Sequence, residues 1–155
     1  MRAKNMIARY LRRLLFCAAI AIPVLAQEGH PAKGTWVGYR GPAGSQQTRV
    51  VIVIDHDGVN LTGTVNPGPQ ALPLKLARLD ITPGKPPVKA GDPVGDPTFK
   101  LHLEAETKDA KGNAVVIVAD GEMQNVGLPN RTLAGTWTET SGGKSVRVDF
   151  RLRRQ

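Results

Sequence analysis

From residue 34 onward, apolar and polar side chains alternate along short segments separated by turn residues. In the segment after residue 98, Phe99, Leu101 and Leu103 fall on one face, while Lys100 and His102 fall on the other. A strand with one buried face produces this period of two. The pattern predicts seven strands followed by a last strand after the turn at 141–144; the seven lie at 34–40, 48–55, 59–65, 71–80, 99–106, 114–123 and 131–140.

The turns between these segments favour antiparallel neighbours. Asp57-Gly58 accepts the positive φ angles of a tight hairpin, and the run Asn66-Pro67-Gly68-Pro69 ends the next strand. Residues 82–97 form a long loop with five prolines, a length typical of loops that cover a site or move. No segment after residue 26 has helical periodicity. We therefore predict an all-β fold, an eight-stranded antiparallel up-and-down barrel whose closure removes the sheet edges.

The first 26 residues have the pattern of a secretory signal peptide. A basic stretch, residues 1–13, precedes the apolar run Leu14–Leu25, and Val24 and Ala26 supply the small residues before the cleavage point. The run is too short for a transmembrane anchor. We expect cleavage after Ala26, a secreted or periplasmic protein, a polar lead at 27–33 and one barrel domain at 34–155.

Removal of this segment changes the charge and the cysteine chemistry. The whole chain carries +8, but residues 27–155 hold 16 basic and 13 acidic residues, which leaves +3. So small an excess argues against nucleic-acid binding, and we interpret the arginines at 147, 151, 153 and 154 as a solvated terminal strand. Cys17 is the only cysteine, so the mature chain has no disulfide and no thiolate site.

Two motifs resemble the calycin superfamily, which includes lipocalins and avidins. Gly34-Thr35-Trp36 is similar to the start of its first strand, and the run Asp57-Gly58-Val59-Asn60-Leu61-Thr62-Gly63-Thr64 is similar to the second avidin hairpin. The resemblance implies a barrel floor in which an arginine of the last strand, Arg151 or Arg153, packs over Trp36. Avidins have a tyrosine where Val65 stands and several later tryptophans, so biotin is not the expected ligand.

The alternation also predicts which side chains line the barrel. The expected interior residues are Phe99, Leu101, Leu103 and Trp137. The mature aromatic residues, Trp36, Tyr39, Phe99, Trp137 and Phe150, are all interpreted as core. Polar residues that alternate with the apolar set argue against an outer-membrane barrel and against stable membrane insertion of the mature chain.

Candidate catalytic and metal-binding groups each have a simpler structural interpretation. Asp55-His56-Asp57 has the groups to hold a divalent ion, but the Asp-Gly turn already explains Asp57. His102, Glu104 and Glu106 share one strand face, as a solvent-facing polar stripe also would. Carboxylates for glycoside hydrolysis are available at Glu104, Asp120 and Glu139, but only their separation decides that mechanism.

Other catalytic signatures are not found in the sequence. Ser45, Ser141 and Ser145 lie in turns without a nucleophile elbow. Gly41-Pro42-Ala43-Gly44 lacks the lysine and the following helix of a phosphate loop. We therefore predict no catalytic residue, no cofactor and no metal ligand, and a protein that is not an enzyme.

The resulting hypothesis is an exported, non-catalytic binding protein. It takes either a small apolar ligand inside the barrel or a partner through the loops at one end, and the 82–97 loop is expected to cover the mouth opposite Trp36. The alternatives are a β-sandwich adhesion or carbohydrate-binding module and, third, a hydrolase with an unrecognised acidic site. The oligomeric state is left open.

Overall fold

Eight antiparallel strands form a closed barrel in the computed structural model, which describes residues 29–155 except 43, 45, 90 and 92. Each strand pairs with its neighbours along the chain, and the last closes on the first. The predicted all-β, eight-stranded antiparallel barrel is confirmed. Residues 1–26, with the expected cleavage point, lie outside the described residues. The strands are β1 (Gly34–Arg40), β2 (Thr48–His56), β3 (Leu61–Val65), β4 (Leu72–Thr82), β5 (Thr98–Lys108), β6 (Ala114–Gln124), β7 (Thr132–Ser141) and β8 (Lys144–Arg154).

The strand bounds differ from prediction where turn chemistry competes with the ladder. β3 was expected from residue 59 but begins at Leu61. The Asp57 carboxylate accepts hydrogen bonds from the backbone N–H of Val59 at 2.8 Å and of Asn60 at 2.7 Å. Such an Asx turn satisfies both amides locally, so these two residues belong to the turn.

The barrel core consists of the inward side chains that the alternation predicts. Val50, Ile52 and Ile54 of β2 are at most 2% exposed, and Phe150 and Leu152 of β8 are buried with them. The same alternation sends the intervening residues to the outer wall. The protein therefore has one core inside the barrel and one largely polar wall outside it.

The two barrel ends carry different loops. The segments 57–60, 83–97 and 125–131 follow even-numbered strands and therefore lie at the end where β1 begins, which we call the Trp36 end. The segments 41–47, 66–71, 109–113 and 142–143 lie at the opposite end, the Arg40 end. The expectation that the long loop covers a mouth opposite Trp36 is wrong, because an antiparallel meander returns β4 to the end where Trp36 lies.

The Trp36 end is closed by the segment that precedes β1. The Trp36 indole N–H donates to the carbonyl of Ala32 at 2.8 Å. Arg131, which is 1% exposed, donates from Nη1 to the carbonyl of Pro31 at 2.6 Å. Buried backbone carbonyls need such partners. Residues 30–33 are thus part of the folded domain, and we call them the plug.

The arginine expected over Trp36 is not Arg151 or Arg153. Both are exposed on the outer wall, and the β8 residue in register with Trp36 is Arg154. Residues that face one another across antiparallel strands share a side of the sheet. Since Trp36 points inward, Leu152 and Arg154 share its side, and the arginines at 151 and 153 point away.

A cation–π contact of the expected kind occurs at the other end. The Arg40 guanidinium lies 5.0 Å from the Trp137 ring centroid and pairs with the Glu139 carboxylate. That carboxylate also accepts the Trp137 indole N–H at 3.0 Å. These three side chains close the Arg40 end of the core with their charges and polar groups satisfied by one another.

Candidate functional site

The barrel interior is the first candidate, since the sequence predicted a ligand there. Leu101, Leu103 and Trp137 are buried and Phe99 packs against the same cluster, so the four predicted lining residues do face inward. The void between Leu103, Trp137 and their neighbours measures about 10 Å³. A single water needs about that much space. An apolar ligand would have to displace packed side chains at this position.

The second candidate is an open groove on the outer wall, about 760 Å³ in volume, which we call the Tyr39 groove. Tyr39 and Arg151 form one side, and Gln47 of the β1–β2 turn approaches from the Arg40 end. The β7 residues that form its floor are small: Ala134, Gly135 and Thr136. The groove is therefore a depression between one exposed aromatic ring and a wall of short side chains.

Two glycines mark a close approach of β6 and β7 beside this groove. Gly121 of β6 and Gly135 of β7 face each other in the sheet register. A Cβ on Gly135 would lie 2.0 Å from the Asp120 carbonyl oxygen and 2.5 Å from the Gly121 Cα. Contacts so short are impossible, so glycine is required for the two strands to approach. Because Gly135 has the inward parity of Leu133 and Trp137, the wall is low here through the short outward side chains of Ala134 and Thr136.

Tyr39 itself is exposed, which corrects its interpretation as a core residue. The side chain is 52% exposed, because Trp36 points inward and a residue three positions on in a strand points outward. Among the described residues, no ring or guanidinium stacks on the tyrosine. Side chains alternate between the two faces of a strand, so counting from Trp36 to Tyr39 in the sequence could have predicted this exposure.

Arginines flank this tyrosine on both sides. Tyr39 is in register with Arg49 of β2 and with Arg151 of β8, and both arginines are exposed. Arg153 lies two residues further along β8 on the same face. Within the described part of the chain, none of these three arginines forms an ion pair with a carboxylate. Among the residues that line the groove, Asp149 carries a carboxylate.

A second, smaller groove of about 350 Å³ lies beside the first and shares Ala134 and Gly135 with it. We call it the His102 groove. His102 Nδ1 lies 2.6 Å from an Asp120 carboxylate oxygen and Nε2 lies 3.0 Å from a Glu104 carboxylate oxygen. The hydrogen bonds to Asp120 first, and then to Glu104, raise the pKa of His102 above its ordinary value.

Two further acids of this wall are also paired with cations. Lys75 pairs with Glu106, and Arg78 Nε lies 3.0 Å from an Asp80 carboxylate oxygen. His102 and Glu104 therefore do meet, as their shared face suggested, but Glu106 is engaged with Lys75. Most acids of β4, β5 and β6 therefore have a basic partner, whereas the arginines beside Tyr39 have no carboxylate partner among the described residues.

The three carboxylates considered for glycoside hydrolysis are not brought to one cleft. Glu104 and Asp120 both contact His102 on the outer wall, whereas Glu139 contacts Arg40 and Trp137 at the end of the core. A hydrolytic pair needs two carboxyl groups facing one reacting bond. Glu139 cannot form such a pair with either of the other two in this arrangement.

The carboxylates of the β2–β3 hairpin that could bind a metal already contact neighbouring groups of the protein. Asp55 pairs with Lys33 at 2.8 Å, and Asp57 accepts the turn amides. The imidazoles of His56 and His30 lie 4.4 Å apart. Across residues 29–155, apart from the four that the structure leaves out, no three His, Cys, Asp or Glu side chains are arranged to hold a metal ion.

The serine and loop candidates also have structural partners. Ser141 Oγ donates to Asp109 at 3.4 Å, and Ser145 Oγ shares a hydrogen bond with Thr140 at 2.8 Å. Ser45 and Ala43 lie outside the described residues. Gly41 and Gly44 of the same loop adopt positive φ angles of 118° and 81°, as a turn requires.

Comparison of the chain with family models, with curated proteins and with solved structures finds no match. The closed eight-stranded barrel is consistent with the calycin-like architecture that the first strands resemble. Over the described range, no helix has the length and apolar character needed to cross a bilayer.

Proposed function

We propose that this chain is a non-catalytic binding protein that engages its ligand on the outside of the barrel, in the Tyr39 groove. The observation that carries the proposal is a half-exposed aromatic ring beside a groove of about 760 Å³ with a floor of small residues. Exposed aromatic rings beside polar groups are typical of recognition surfaces. The filled core at Leu103 favours this location over the barrel interior.

Binding in the Tyr39 groove requires only a few contacting groups and no nucleophile. Tyr39 supplies a flat apolar face, and Thr136, Gln47 and Asp149 supply hydrogen-bond donors and acceptors along the groove. Arg151 supplies positive charge at its side. Such a mixture orients a ligand without transforming it.

Two finer expectations accompany this proposal. The leader-like residues 1–26 support export with cleavage after Ala26, and a mature mass that begins at Gln27 is the expected result for protein recovered outside the cytoplasm. An intact mass that retains the leader would contradict the export.

The Gly34-Thr35-Trp36 start and the buried indole of Trp36 support kinship with calycins.

The location of the site can be tested without knowing the ligand. A fragment set of sugars, organic acids, aromatic compounds and aliphatic compounds is screened by amide chemical-shift changes in the ¹⁵N-labelled protein. We expect the compounds that bind to shift the amide signals of Gly41, Gln47 and Gly135. We expect the Tyr39→Ala protein not to bind them. The matched control is Val59→Ala, because Val59 is 85% exposed and lies at the other end of the barrel.

Two outcomes would contradict the proposal. If the compounds instead shift the amide signals of Leu103, Ile117 and Ala119, the ligand binds inside the barrel. If the compounds bind the Tyr39→Ala protein with the same affinity as the unaltered protein, the groove is not the site. Thermal unfolding of both variants establishes that a loss of binding is not a loss of folding.

A further inference from the structure

The positive charge of the outer wall is concentrated on one side of the barrel. On β4, β5 and β6, the side chains of Lys75, Arg78 and His102 contact carboxylates. On β8 and β2, the exposed arginines beside Tyr39 have no such partner within the described residues. Unpaired guanidinium groups on one face form a positive surface that attracts anions.

The spacing of these arginines matches a ligand that lies over the tyrosine. Arg49 and Arg151 occupy the strands on either side of β1, each in register with Tyr39. Neighbouring strands are about 4.8 Å apart, so the two Cα atoms are separated by about 10 Å. Their long side chains reach an anionic group on either flank of a ring stacked on Tyr39. Guanidinium groups bind carboxylates through two parallel hydrogen bonds.

The rest of the groove favours a ligand that also carries hydroxyl groups. Thr136, Gln47 and the Asp149 carboxylate line it, and each of them can accept a hydrogen bond from a hydroxyl group. Asp149 is exposed, and its carboxylate repels a negatively charged group placed beside it, so the carboxylates of the ligand must lie toward the arginines. A ligand of rings, hydroxyl groups and spaced carboxylates satisfies the tyrosine, the polar groups and the arginines together.

We propose that the Tyr39 groove binds an acidic saccharide, with one sugar ring stacked on Tyr39 and its carboxylates held by Arg49 and Arg151. This inference rests on the proposed function, since it names the ligand class of the same groove. Arg153, on the same face as Arg151, extends the positive surface along the wall toward the Trp36 end.

The test uses the full protein and a matched pair of probes. One probe is the trisaccharide of galacturonic acid, and the other is the same trisaccharide with its carboxylates methyl-esterified, which keeps the rings and removes the charge. Binding is measured by calorimetry and by amide shifts at low and moderate salt. We expect the acidic form to bind at least about tenfold more tightly, the effect of one good charge-assisted contact.

Variants assign the contacts. Arg49→Gln and Arg151→Gln are each expected to weaken the acidic trisaccharide about tenfold and to leave the ester unchanged. Tyr39→Phe should retain binding, whereas Tyr39→Leu should weaken both probes alike. The control is Lys75→Gln, which removes a positive charge from the compensated wall and should change neither probe. Unfolding midpoints of all the variants confirm that each one is folded.

The outcomes separate this inference from the proposed function. Equal binding of the acid and the ester at the groove would overturn the charge selectivity and leave a groove for neutral sugars. Tighter binding of a short DNA strand than of the acidic trisaccharide, lost in Arg151→Gln, would overturn the saccharide as ligand. No amide shift at the groove with either probe would overturn the inference, and the fragment screen would then decide the proposed function separately.

Discussion

Replacing Leu103 by alanine tests whether the barrel interior is packed. Leu103 is 3% exposed and lies beside the void of about 10 Å³ that Trp137 and Ile117 also line. Leucine-to-alanine changes in packed cores cost about 2–5 kcal/mol, and more where the surroundings cannot collapse. A closed, hydrogen-bonded barrel resists collapse, so we expect a loss of about 3–4 kcal/mol in the free energy of unfolding.

The assay is urea and thermal unfolding of the Leu103→Ala protein, followed by tryptophan fluorescence. For a domain of this size the expected loss lowers Tm by about 10–15 °C. The control is Leu76→Ala, the same chemical change at an outward position that is 41% exposed, which should cost less than about 1 kcal/mol. Similar small losses for both variants would refute a filled interior and return the barrel cavity as a candidate ligand site.

Three further predictions follow from single contacts. Trp36→Phe leaves the Ala32 carbonyl without its indole donor, and we expect unfolding to become easier by about 2 kcal/mol or more; an unchanged denaturation midpoint would contradict the plug. Gly135→Ala places a methyl group where the Asp120 carbonyl lies, so we expect about 1–3 kcal/mol of destabilisation and shifted β6 and β7 amides, and an unperturbed spectrum would disprove the close approach. His102 has a raised pKa, so its contribution to stability is full below the ordinary value of 6.5 and is lost as pH rises through the folded-state pKa. The stability of the protein minus that of His102→Gln should therefore fall with rising pH in urea titrations, and a difference that grows with pH would reverse the assignment.

Most of the architecture could be predicted from local pattern. Alternation identifies β5 because Leu101, Leu103 and Ala105 must be buried while their neighbours remain solvated. The Asp-Gly turn and the proline-rich loop mark where strands end. These signals are local, so a single sequence carries them.

What could not be predicted depends on the relation between distant strands. The arginine in register with Trp36 is Arg154, and the register of β8 against β1 is set when the barrel closes, not by either strand alone. The Arg40 contact with Trp137 joins residues almost a hundred positions apart. The aromatic character of Tyr39 suggests a core position, although counting along the strand from Trp36 places it outside.

The structural role of the polar lead could not be predicted either, because it depends on hydrogen bonds to backbone carbonyls. The sequence shows that the lead at 27–33 is short and mostly polar. It does not show that Pro31 and Ala32 present their carbonyls to Arg131 and Trp36. Such contacts have no periodicity, so pattern analysis cannot detect them.

Closure of the barrel has a kinetic consequence. Hairpins such as β5–β6 and β7–β8 pair residues close in sequence, whereas β1–β8 pairing and the Pro31–Arg131 hydrogen bond join residues about a hundred positions apart. Local contacts form before long loops close. We expect Trp137, which packs against Phe150 of the adjacent strand, to report an early phase of folding, and Trp36 to report the last. Since β8 follows β1 by about a hundred residues, a ribosome must synthesise all the intervening strands before β1 can pair with β8.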